Sequence, residues 1–264
     1  MTYREFIKSN PYIEKEAILL LVTEKLHINK WELNLDDQID FCLQEDFELL
    51  KNNIPVQYVL GYAYFYKSKF KVTKDVLIPR FDTEVLVEEA LKVIKEYENP
   101  KVLDLCTGSG CIGISLKKEV PSIDITCSDI SEEALNVAKF NASVNNVKIN
   151  FVKSDLLSNI KDSFDIIVSN PPYIDINEDI MDLVKNNEPA LALFSDNNGM
   201  YHYQEILKQS MTHLTNNGCI LFEIPSHKDG VFIELVNEYF SEYKIVKDNN
   251  NLSRVLILKK RRIL

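Results

Sequence analysis

The tetrapeptide Asn170-Pro171-Pro172-Tyr173 combines the residue types with the clearest chemical potential in this chain. It directly follows the apolar run 164–169, which predicts a buried strand. Because proline has no backbone N–H, the two prolines end the strand ladder and stiffen the peptide. An amide side chain before the prolines and an aromatic ring after them suit a flat, neutral group that carries N–H bonds. A proline-capped strand end with a packed tyrosine is the alternative, and the motif alone leaves both open.

A glycine-rich loop is the second such feature. Gly108, Gly110 and Gly113 follow the apolar segment 102–105 and open a predicted helix. Glycines let the backbone turn tightly and let a ligand approach it, and the free N–H groups at a helix start favour an anionic ligand group. The spacing also fits GxGxxG, so the loop indicates a nucleotide or nucleoside site without identifying the ligand.

Two acidic residues stand at the ends of the next two predicted strands. Asp129 lies about 20 residues past the glycine loop, where a carboxylate binds the two hydroxyls of a ribose. Asp155 is placed to accept a hydrogen bond from an adenine amino group, with Leu156 beside the ring. Singly, such residues are more often caps or turns. Together they indicate a nucleoside ligand, NAD or S-adenosylmethionine, and Asn170 favours methyl transfer to a nitrogen over hydride transfer.

Alternating strands and helices must position these residues. Strands are predicted at about 101–105, 123–128, 148–152, 164–169, 218–224, 243–248 and 253–258. Helices are predicted at about 83–97, 111–119, 131–145, 200–214 and 229–240. This alternation predicts an α/β fold with a mainly parallel sheet covered on both faces. The polar turn 248–251 predicts an antiparallel hairpin for the last two strands.

Three segments differ in character and predict a domain organisation. Residues 1–58 read as a helical domain, because apolar residues such as Ile18, Leu21 and Val22 recur at helical spacing. The aromatic-rich segment 59–80 predicts a linking β-hairpin. The α/β domain follows over 81–264.

Bulk composition excludes several classes of function. The chain has 264 residues, a net charge of -10 and a pI of about 5.0, whereas a general nucleic-acid binder carries a basic face. No direct nucleic-acid partner is therefore expected. No apolar run is long enough to span a bilayer, and the first residues lack a signal-peptide pattern. The five cysteines form neither a CxxC pair nor a zinc-ligand spacing, so we expect reduced thiols, no metal and a cytoplasmic location.

Five segments carry a resemblance to a known family. They are PVQYVLG at 55–61, VLIPR at 76–80, VLDLCTGSGC at 102–111, IVSNPPYI at 167–174 and EPALAL at 188–193. Over nearly its whole length the chain resembles the HemK/PrmC family of protein-(glutamine-N5) methyltransferases, which modify the glutamine of the GGQ loop in class 1 peptide-chain release factors. The first two segments are far more specific than NPPY, which many nitrogen methyltransferases share.

The resemblance implies a fold, a cofactor and a set of roles. The fold is a seven-stranded, mostly parallel, Rossmann-like methyltransferase sheet with a small N-terminal helical domain and a linking β-hairpin. Because a release factor is large, the domain layout predicts that the helical domain docks this substrate. The cofactor is S-adenosylmethionine, the partner is a class 1 release factor, and a monomer is expected. The implied cofactor-binding residues are Cys106, Thr107, Gly108, Ser109, Gly110, Asp129, Ile130, Asp155, Leu156 and Asn170.

For catalysis and substrate binding the resemblance implies Asn170, Pro171, Pro172 and Tyr173. A carboxamide nitrogen is a poor nucleophile, because its lone pair is delocalised into the carbonyl. We expect the Asn170 side-chain oxygen and the Pro171 carbonyl to accept its two N–H bonds, and Tyr173 to stack on the amide plane. No general base is required, since the product amide can lose its proton afterwards.

The chain departs from the family pattern at four places. Cys106 replaces a usual glycine, and Phe81-Asp82 replaces the commoner Pro-Glu. Pro225 replaces a glycine after Glu-Ile, and the segment 251–254 replaces a GRDRV-like end. The last two bear on how the C-terminal region meets the substrate rather than on the chemistry.

Other functions are compatible with parts of this pattern. A ribosomal-protein glutamine methyltransferase or a nucleic-acid amino-methyltransferase would use the same NPPY site. A non-catalytic module would keep the nucleoside pocket for structure. The acidic charge counts against a nucleic-acid enzyme, and the intact NPPY and glycine loop disfavour a module.

Overall fold

The computed structural model describes residues 1–226 and 228–261. Its helices are α1 (Tyr3–Ser9), α2 (Lys15–Leu26), α3 (Gln44–Lys51), α4 (Val56–Leu60), α5 (Glu84–Ile94), α6 (Cys111–Glu119), α7 (Glu132–Val144), α8 (Asp182–Asn187), α9 (Ala190–Leu193), α10 (Asp196–Gly199), α11 (Tyr201–Ser210) and α12 (Asp229–Val236). Its strands are β1 (Tyr62–Phe65), β2 (Ser68–Lys71), β3 (Lys101–Leu105), β4 (Asp124–Asp129), β5 (Asn150–Lys153), β6 (Phe164–Ser169), β7 (Leu214–Glu223), β8 (Phe240–Lys247) and β9 (Ser253–Arg261). Short 3-10 turns at Phe41–Leu43 and Phe81–Thr83 precede α3 and α5.

The large sheet has seven strands in the order β5-β4-β3-β6-β7-β9-β8, which confirms the predicted fold class. The first five strands are parallel, while β9 runs antiparallel between β7 and β8. The chain leaves β3 toward β4 and β5 and later returns to β6 on the other side of β3. The reversal creates a crevice beyond the carboxyl ends of β3 and β6, where open α/β sheets bind their ligands.

Apolar residues cover both faces of this sheet. Alternate residues of the central strands enter different clusters: Val102 packs with α5 and α6, and Leu103 packs with α11 and α12. Strands buried on both faces read as continuous apolar runs, which is why their positions could be predicted from the sequence.

The predicted boundaries differ most around β7. Its predicted start was 218, because Asn216, Asn217 and Gly218 resemble a turn, and the preceding helix was predicted to reach 214. In the structure α11 ends at Ser210 and β7 begins at Leu214, across an irregularity in its pairing with β6. Tertiary pairing with β6 therefore overrides the local turn signal. The short helices α8, α9 and α10 were not predicted.

The N-terminal residues form a separate apolar cluster. Phe6 contacts Phe47 edge-on, with ring centroids 4.5 Å apart, and Ile18 and Leu21 are buried beside them. Helical structure does not extend through this whole region as predicted, since 27–40 is irregular. His27 ends α2 in the left-handed conformation, and Asn- and Asp-rich turns follow. The domain boundaries at 58 and 80 remain a prediction.

The predicted hairpin is present as β1 and β2, which pair antiparallel. The carboxylate of Glu24 on α2 accepts hydrogen bonds from the hydroxyls of Tyr62 (2.5 Å) and Tyr64 (3.1 Å). Lys69 lies over the Tyr62 ring, 3.7 Å from its centroid. These contacts tie the hairpin to the helical region. Within the described residues, no helix has the length and apolarity that crossing a membrane requires.

Candidate active site

A cavity of about 300 Å³ lies beyond the carboxyl ends of β3, β4, β5 and β6. Strand pairing brings its walls together, because Leu105 at the end of β3 is the register partner of Ser169 at the end of β6. The Ser169 hydroxyl also donates to the Leu105 carbonyl at 2.7 Å. The glycine loop and NPPY, 64 residues apart in sequence, therefore leave neighbouring strands side by side.

Most of the sequence-predicted cofactor residues line this first cavity. They are Cys106, Thr107, Gly108, Ser109, Asp129, Ile130, Asp155, Leu156 and Asn170, together with Pro172. Gly110 does not line it. A Cβ at Gly110 would lie 3.1 Å from the Cβ of Ala138 on α7, so this glycine permits close packing of α6 against α7. The φ of 80° at Gly110 is a second reason for glycine at this helix N-cap.

Cys106 stands at a position with left-handed backbone, φ 60°. That conformation costs a non-glycine residue about 1–2 kcal/mol and explains why glycine is the usual residue of the resembled family. The loop accommodates the thiol, and burial raises the pKa of this thiol. Cys106 is therefore an uncharged, weakly polar part of the cavity wall.

A buried carboxyl group stabilises the glycine loop through hydrogen bonds. Asp104 is fully buried on β3, and its Oδ2 accepts hydrogen bonds from the Thr107 hydroxyl and from the N–H of Gly113 (2.9 Å). Burial raises the pKa of Asp104 to about 6. Sequence reasoning did not assign Asp104 a role, although an acidic residue within an apolar strand was a usable signal.

The carboxylate of Asp129 is held in a fixed orientation. Its Oδ2 accepts from the N–H of Gly108 at 2.8 Å, and its Oδ1 accepts from the N–H of Ser131 at 3.0 Å. Burial raises its pKa, while the bonds from Ser131 and Gly108 oppose that rise. Each oxygen keeps a lone pair for a further donor, which suits a pair of ribose hydroxyls.

Asn170 lines both the first cavity and a second one of about 800 Å³, as do Leu77, Arg80 and Ala192. Tyr173 lines the second cavity, and Pro171 is buried behind the tip. The Asn170 side-chain N–H donates to the Thr83 hydroxyl oxygen at a long 3.4 Å. The structure thus places the Asn170 amide at both cavities and the Tyr173 ring at the second one, while Pro171 lines neither.

The second cavity lies between the helical region and the sheet. Its wall includes Ile13, Leu50 and Pro55 from the N-terminal residues, and Ile174 and Met181 from the segment after NPPY. Four of the five family-like segments meet here, because 55–61, 76–80, 167–174 and 188–193 all contribute residues to the wall. The sequence motifs did not predict that these segments lie together.

An ion pair joins two of those segments. The Arg80 guanidinium contacts the Glu188 carboxylate, whose other oxygen accepts from the N–H of Ile78 at 3.1 Å. Glu188 is buried, so removing Arg80 would leave an unpaired buried charge. Arg80 lines both cavities and fixes the 76–80 segment beside Asn170.

Arg254 and Asp82 interact electrostatically with Glu223, the last residue of β7. Arg254 pairs with Asp82 at 2.9 Å and with Asp248 at 3.0 Å. Two departures from the family pattern therefore meet at the contact between Asp82 and Arg254. Glu223 is 2% exposed, lines the second cavity and has its pKa raised by burial to about 7.

Gly199 provides a test of how tightly the NPPY tip is supported. Its φ is 82°, and a Cβ there would lie 2.1 Å from the carbonyl oxygen of Tyr173. We expect Gly199→Ala to lower the unfolding free energy by about 2–5 kcal/mol in urea denaturation, from left-handed strain plus overpacking. Gly230→Ala is the matched control: its Cβ would meet nothing within 4 Å, and it should raise stability by about 0.5–1 kcal/mol. Equal effects of the two substitutions would contradict the close contact.

The buried carboxyl groups predict a pH-dependent stability. The pKa of Glu223, raised to about 7, exceeds its value in the unfolded chain, so the folded protein holds that proton more tightly. The resulting stabilisation is present below about pH 4 and is lost as pH rises through 7. The unfolding free energy of the wild type should therefore fall between pH 5 and 8. In Glu223→Gln we expect this fall to be smaller by roughly 2–3 kcal/mol. An identical pH dependence in variant and wild type would refute this titration.

Comparison with known proteins finds a matching family and several proteins of similar sequence. Residues 81–192 match the family described as Methyltransferase small domain. A release factor glutamine methyltransferase of Lactococcus lactis is 43% identical over 235 residues, covering 88% of this chain and 83% of that protein. One of Clostridium botulinum is 36% identical over 256 residues, covering 94% of this chain and 88% of that protein.

Solved structures share the fold at low identity. A ribosomal protein L11 methylase from Lactobacillus delbrueckii subsp. bulgaricus has a TM-score of 0.51 at 19% identity, covering 72% of this chain and 84% of that chain. A T. thermophilus 16S rRNA N2 G1207 methyltransferase, solved with AdoMet and guanosine, has a TM-score of 0.55 at 17% identity, covering 76% of this chain and 50% of that chain. These likenesses show the α/β methyltransferase fold alone.

Proposed function

The chain belongs to the release factor glutamine methyltransferase family, and on that premise we propose that it methylates the side-chain amide nitrogen (N5) of the glutamine in the GGQ motif of class 1 release factors. S-adenosylmethionine is the methyl donor. The single observation that carries the proposal is that Asn170 lines both the nucleoside cavity and the second cavity. An amide there can contact a substrate that enters from one side and a donor that binds on the other.

The first cavity fits the cofactor. Gly108 has φ 53° and open space where a Cβ would lie, so the loop leaves room for a ligand against its backbone. We assign the ribose hydroxyls to Asp129 and the adenine ring to the apolar side chains of Ile130 and Leu156, with Asp155 at its amino group. When bound, the cofactor supplies an electrophilic methyl group on a sulfonium.

The residues of the NPPY tip orient the glutamine. The Asn170 Oδ1 and the Pro171 carbonyl accept the two amide N–H bonds, which aims the nitrogen lone pair and stabilises positive charge that grows on the nitrogen. Tyr173 stacks on the amide plane. Burial raises the pKa of Tyr173 to about 12, so its ring stays neutral beside the substrate. Alignment of the two reactants supplies much of the remaining rate enhancement.

The second cavity is the substrate entrance. Its volume of about 800 Å³ exceeds what one glutamine side chain needs, and its wall includes both the N-terminal residues and Tyr173. These features support a loop of a large protein as the occupant and the helical region as its docking surface. A monomeric enzyme in the cytoplasm, where translation terminates, completes the proposal.

Mass spectrometry of a purified class 1 release factor, incubated with this protein and isotopically labelled donor, tests the proposal. We expect a single labelled methyl group on the GGQ glutamine and none on a release factor whose loop glutamine is replaced by alanine. Ribosomal proteins and RNA serve as competing substrates in the same assay. Labelling of either of these, with an unmodified release factor, would overturn the proposal.

A further inference from the structure

A histidine lines the first cavity in addition to the residues that the sequence predicted. His202, in the first turn of α11, lies in the same wall as Asp155 and Leu156. It is half-buried, and its Nδ1 lies 2.7 Å from the hydroxyl oxygen of Ser195. This is the one hydrogen bond that the ring makes among the described residues. One ring nitrogen is therefore held by the protein, and Nε2 is available to a ligand in the cavity.

Helix α11 packs against the segment that carries the predicted adenine-binding residues. The Leu157 N–H donates to the side-chain oxygen of Gln209 on α11 at 3.0 Å. Leu156 and Tyr203, the residue after His202, belong to the same apolar cluster. Since His202 and Leu156 also line one cavity, the imidazole lies on the side of that cavity assigned to the adenine ring.

The Ser195 hydroxyl determines which ring nitrogen carries the hydrogen. Burial lowers the pKa of His202 while the carboxylates of Asp155 and Asp196 oppose this effect, so the ring is neutral at pH 7 and holds one N–H. Ser195 is 3% exposed, and its oxygen accepts from the His202 backbone N–H at 3.4 Å. Among the described residues, Nδ1 is the acceptor within reach of its hydroxyl hydrogen. Because a buried donor without a partner costs free energy, Ser195 donates to Nδ1, and Nε2 carries the ring hydrogen.

Ser195 itself is held by the chain segment after NPPY. Its backbone N–H donates to the Ile174 carbonyl at 2.8 Å, and Ile174 forms a parallel bridge with Phe194. The imidazole is therefore oriented before a ligand binds. A preorganised donor loses little conformational entropy on binding, so its hydrogen bond contributes more of its energy to affinity.

An acceptor and a donor side by side complement an edge of adenine. The adenine amino group donates, and the ring nitrogens on either side of it, N1 and N7, accept. Asp155 supplies an acceptor, and His202 Nε2–H supplies a donor. A 6-oxo purine presents an oxygen in place of the amino group, so it would face the Asp155 carboxylate with a second acceptor.

We propose that His202 is a cofactor-binding residue whose Nε2–H donates to an adenine ring nitrogen beside the amino group that Asp155 binds. The two side chains then recognise adenine as a pair. The inference rests on the proposed function, because it takes from it the assignment of the adenine ring to Asp155 and Leu156. It gives α11 a part in cofactor recognition, in addition to the glycine loop and Asp129.

Two substitutions separate the N–H group from the ring. His202→Phe keeps a flat ring without the donor, so the Kd for S-adenosylhomocysteine, measured by calorimetry, should rise about three- to tenfold, the effect of one net hydrogen bond. His202→Gln carries an amide N–H at a similar reach and should keep the Kd within about twofold. An unchanged Kd in the folded phenylalanine variant, or equal losses in both variants, would overturn the proposal.

Tyr201→Phe is the matched control on the same helix. Tyr201 is 42% exposed and lines neither cavity, although its ring contacts the His202 ring edge-on. The Kd of this variant should equal that of the wild type. A rise as large as that of His202→Phe would assign the effect to packing of α11 and contradict a direct hydrogen bond.

Deaza analogues of S-adenosylhomocysteine identify the atom that accepts the hydrogen bond. The 1-deaza and 7-deaza compounds each replace one ring nitrogen of adenine with C–H. One of them should bind the wild type about three- to tenfold more weakly than the parent compound, and His202→Phe should bind that analogue and the parent within about twofold. Such coupling between a ligand atom and a side chain is not produced by packing alone. Equal penalties in the two proteins for both analogues would refute the inference.

Nitrogen-15 NMR of the free protein tests the tautomer without cofactor or release factor. The ring signals of His202, assigned by their loss in His202→Gln, should show the hydrogen on Nε2 at about pH 7. A hydrogen on Nδ1 would overturn the proposal. If a release factor is not methylated while the deaza penalty still depends on His202, the proposed function fails and the role of His202 stands.

Discussion

Replacing Asn170 with alanine will lower kcat for release-factor methylation by about a hundredfold or more, the effect of removing one preorganised hydrogen-bond partner from a developing charge. The alanine cannot accept the substrate N–H, so the amide nitrogen loses its alignment. Single-turnover labelling with radioactive donor measures this directly. The protein should remain folded, because Asn170 is half-buried and the one hydrogen bond that its side chain makes among the described residues, to Thr83, is long at 3.4 Å.

Asn250→Ala is the matched control for this substitution. Asn250 is an exposed asparagine in the turn between β8 and β9, outside the walls of both cavities. Its replacement should leave kcat unchanged. Wild-type turnover in folded Asn170→Ala would remove Asn170 from the catalytic machinery and, with it, the main argument for amide chemistry.

Replacing Asp129 with alanine will weaken binding of S-adenosylhomocysteine by about a hundredfold. The variant loses the charged acceptor for the ribose hydroxyls, and a hydrogen bond to a charged group contributes about 1.5–3 kcal/mol. It also releases the N–H groups of Gly108 and Ser131, which the carboxylate holds at 2.8 and 3.0 Å. The glycine loop therefore loses part of its support. Isothermal titration calorimetry measures the Kd.

Two further variants define this effect. Asp129→Asn keeps one acceptor oxygen and should bind with intermediate affinity. Asp124→Ala removes an exposed carboxylate from the start of the same strand. Within the part of the chain that the structure describes, this carboxylate accepts a hydrogen bond from the side chain of Asn150 alone, at 3.3 Å. Its Kd should match that of the wild type. A normal Kd in Asp129→Ala would show that the ribose is bound elsewhere.

Predictions that depended on contiguous residues succeeded. The run 164–169 followed by two prolines, and the apolar run before the glycine loop, each define a strand and its end within a few residues. Since parallel strands present their carboxyl ends at one edge of a sheet, Gly108, Asp129 and Asn170 had to approach one another. Their common cavity depends on parallel strands, which the alternation of strands and helices predicts, and on the strand order, which the structure shows.

Predictions failed or were missing where distant residues decide the structure. The Arg80–Glu188 pair joins residues 108 positions apart, and no local pattern marks them as partners. The same holds for the contact between Asn170 and Thr83, which are 87 positions apart. The start of β7 at Leu214 was missed because pairing with β6 outweighs the turn propensity of Asn216 and Asn217.

The sequence by itself determined the order of strands and helices along the chain, the glycine-rich loop and the amide at the tip of the fourth strand of the sheet, because backbone propensities and apolar periodicity act between neighbours in the chain. Only the tertiary structure decided that β9 inserts between β7 and β8, and that a second cavity opens beside Asn170. It also decided that an acid from β7 faces that cavity. Those features depend on which surfaces pack together after the elements form. No local sequence pattern indicates which distant side chains will then lie close together.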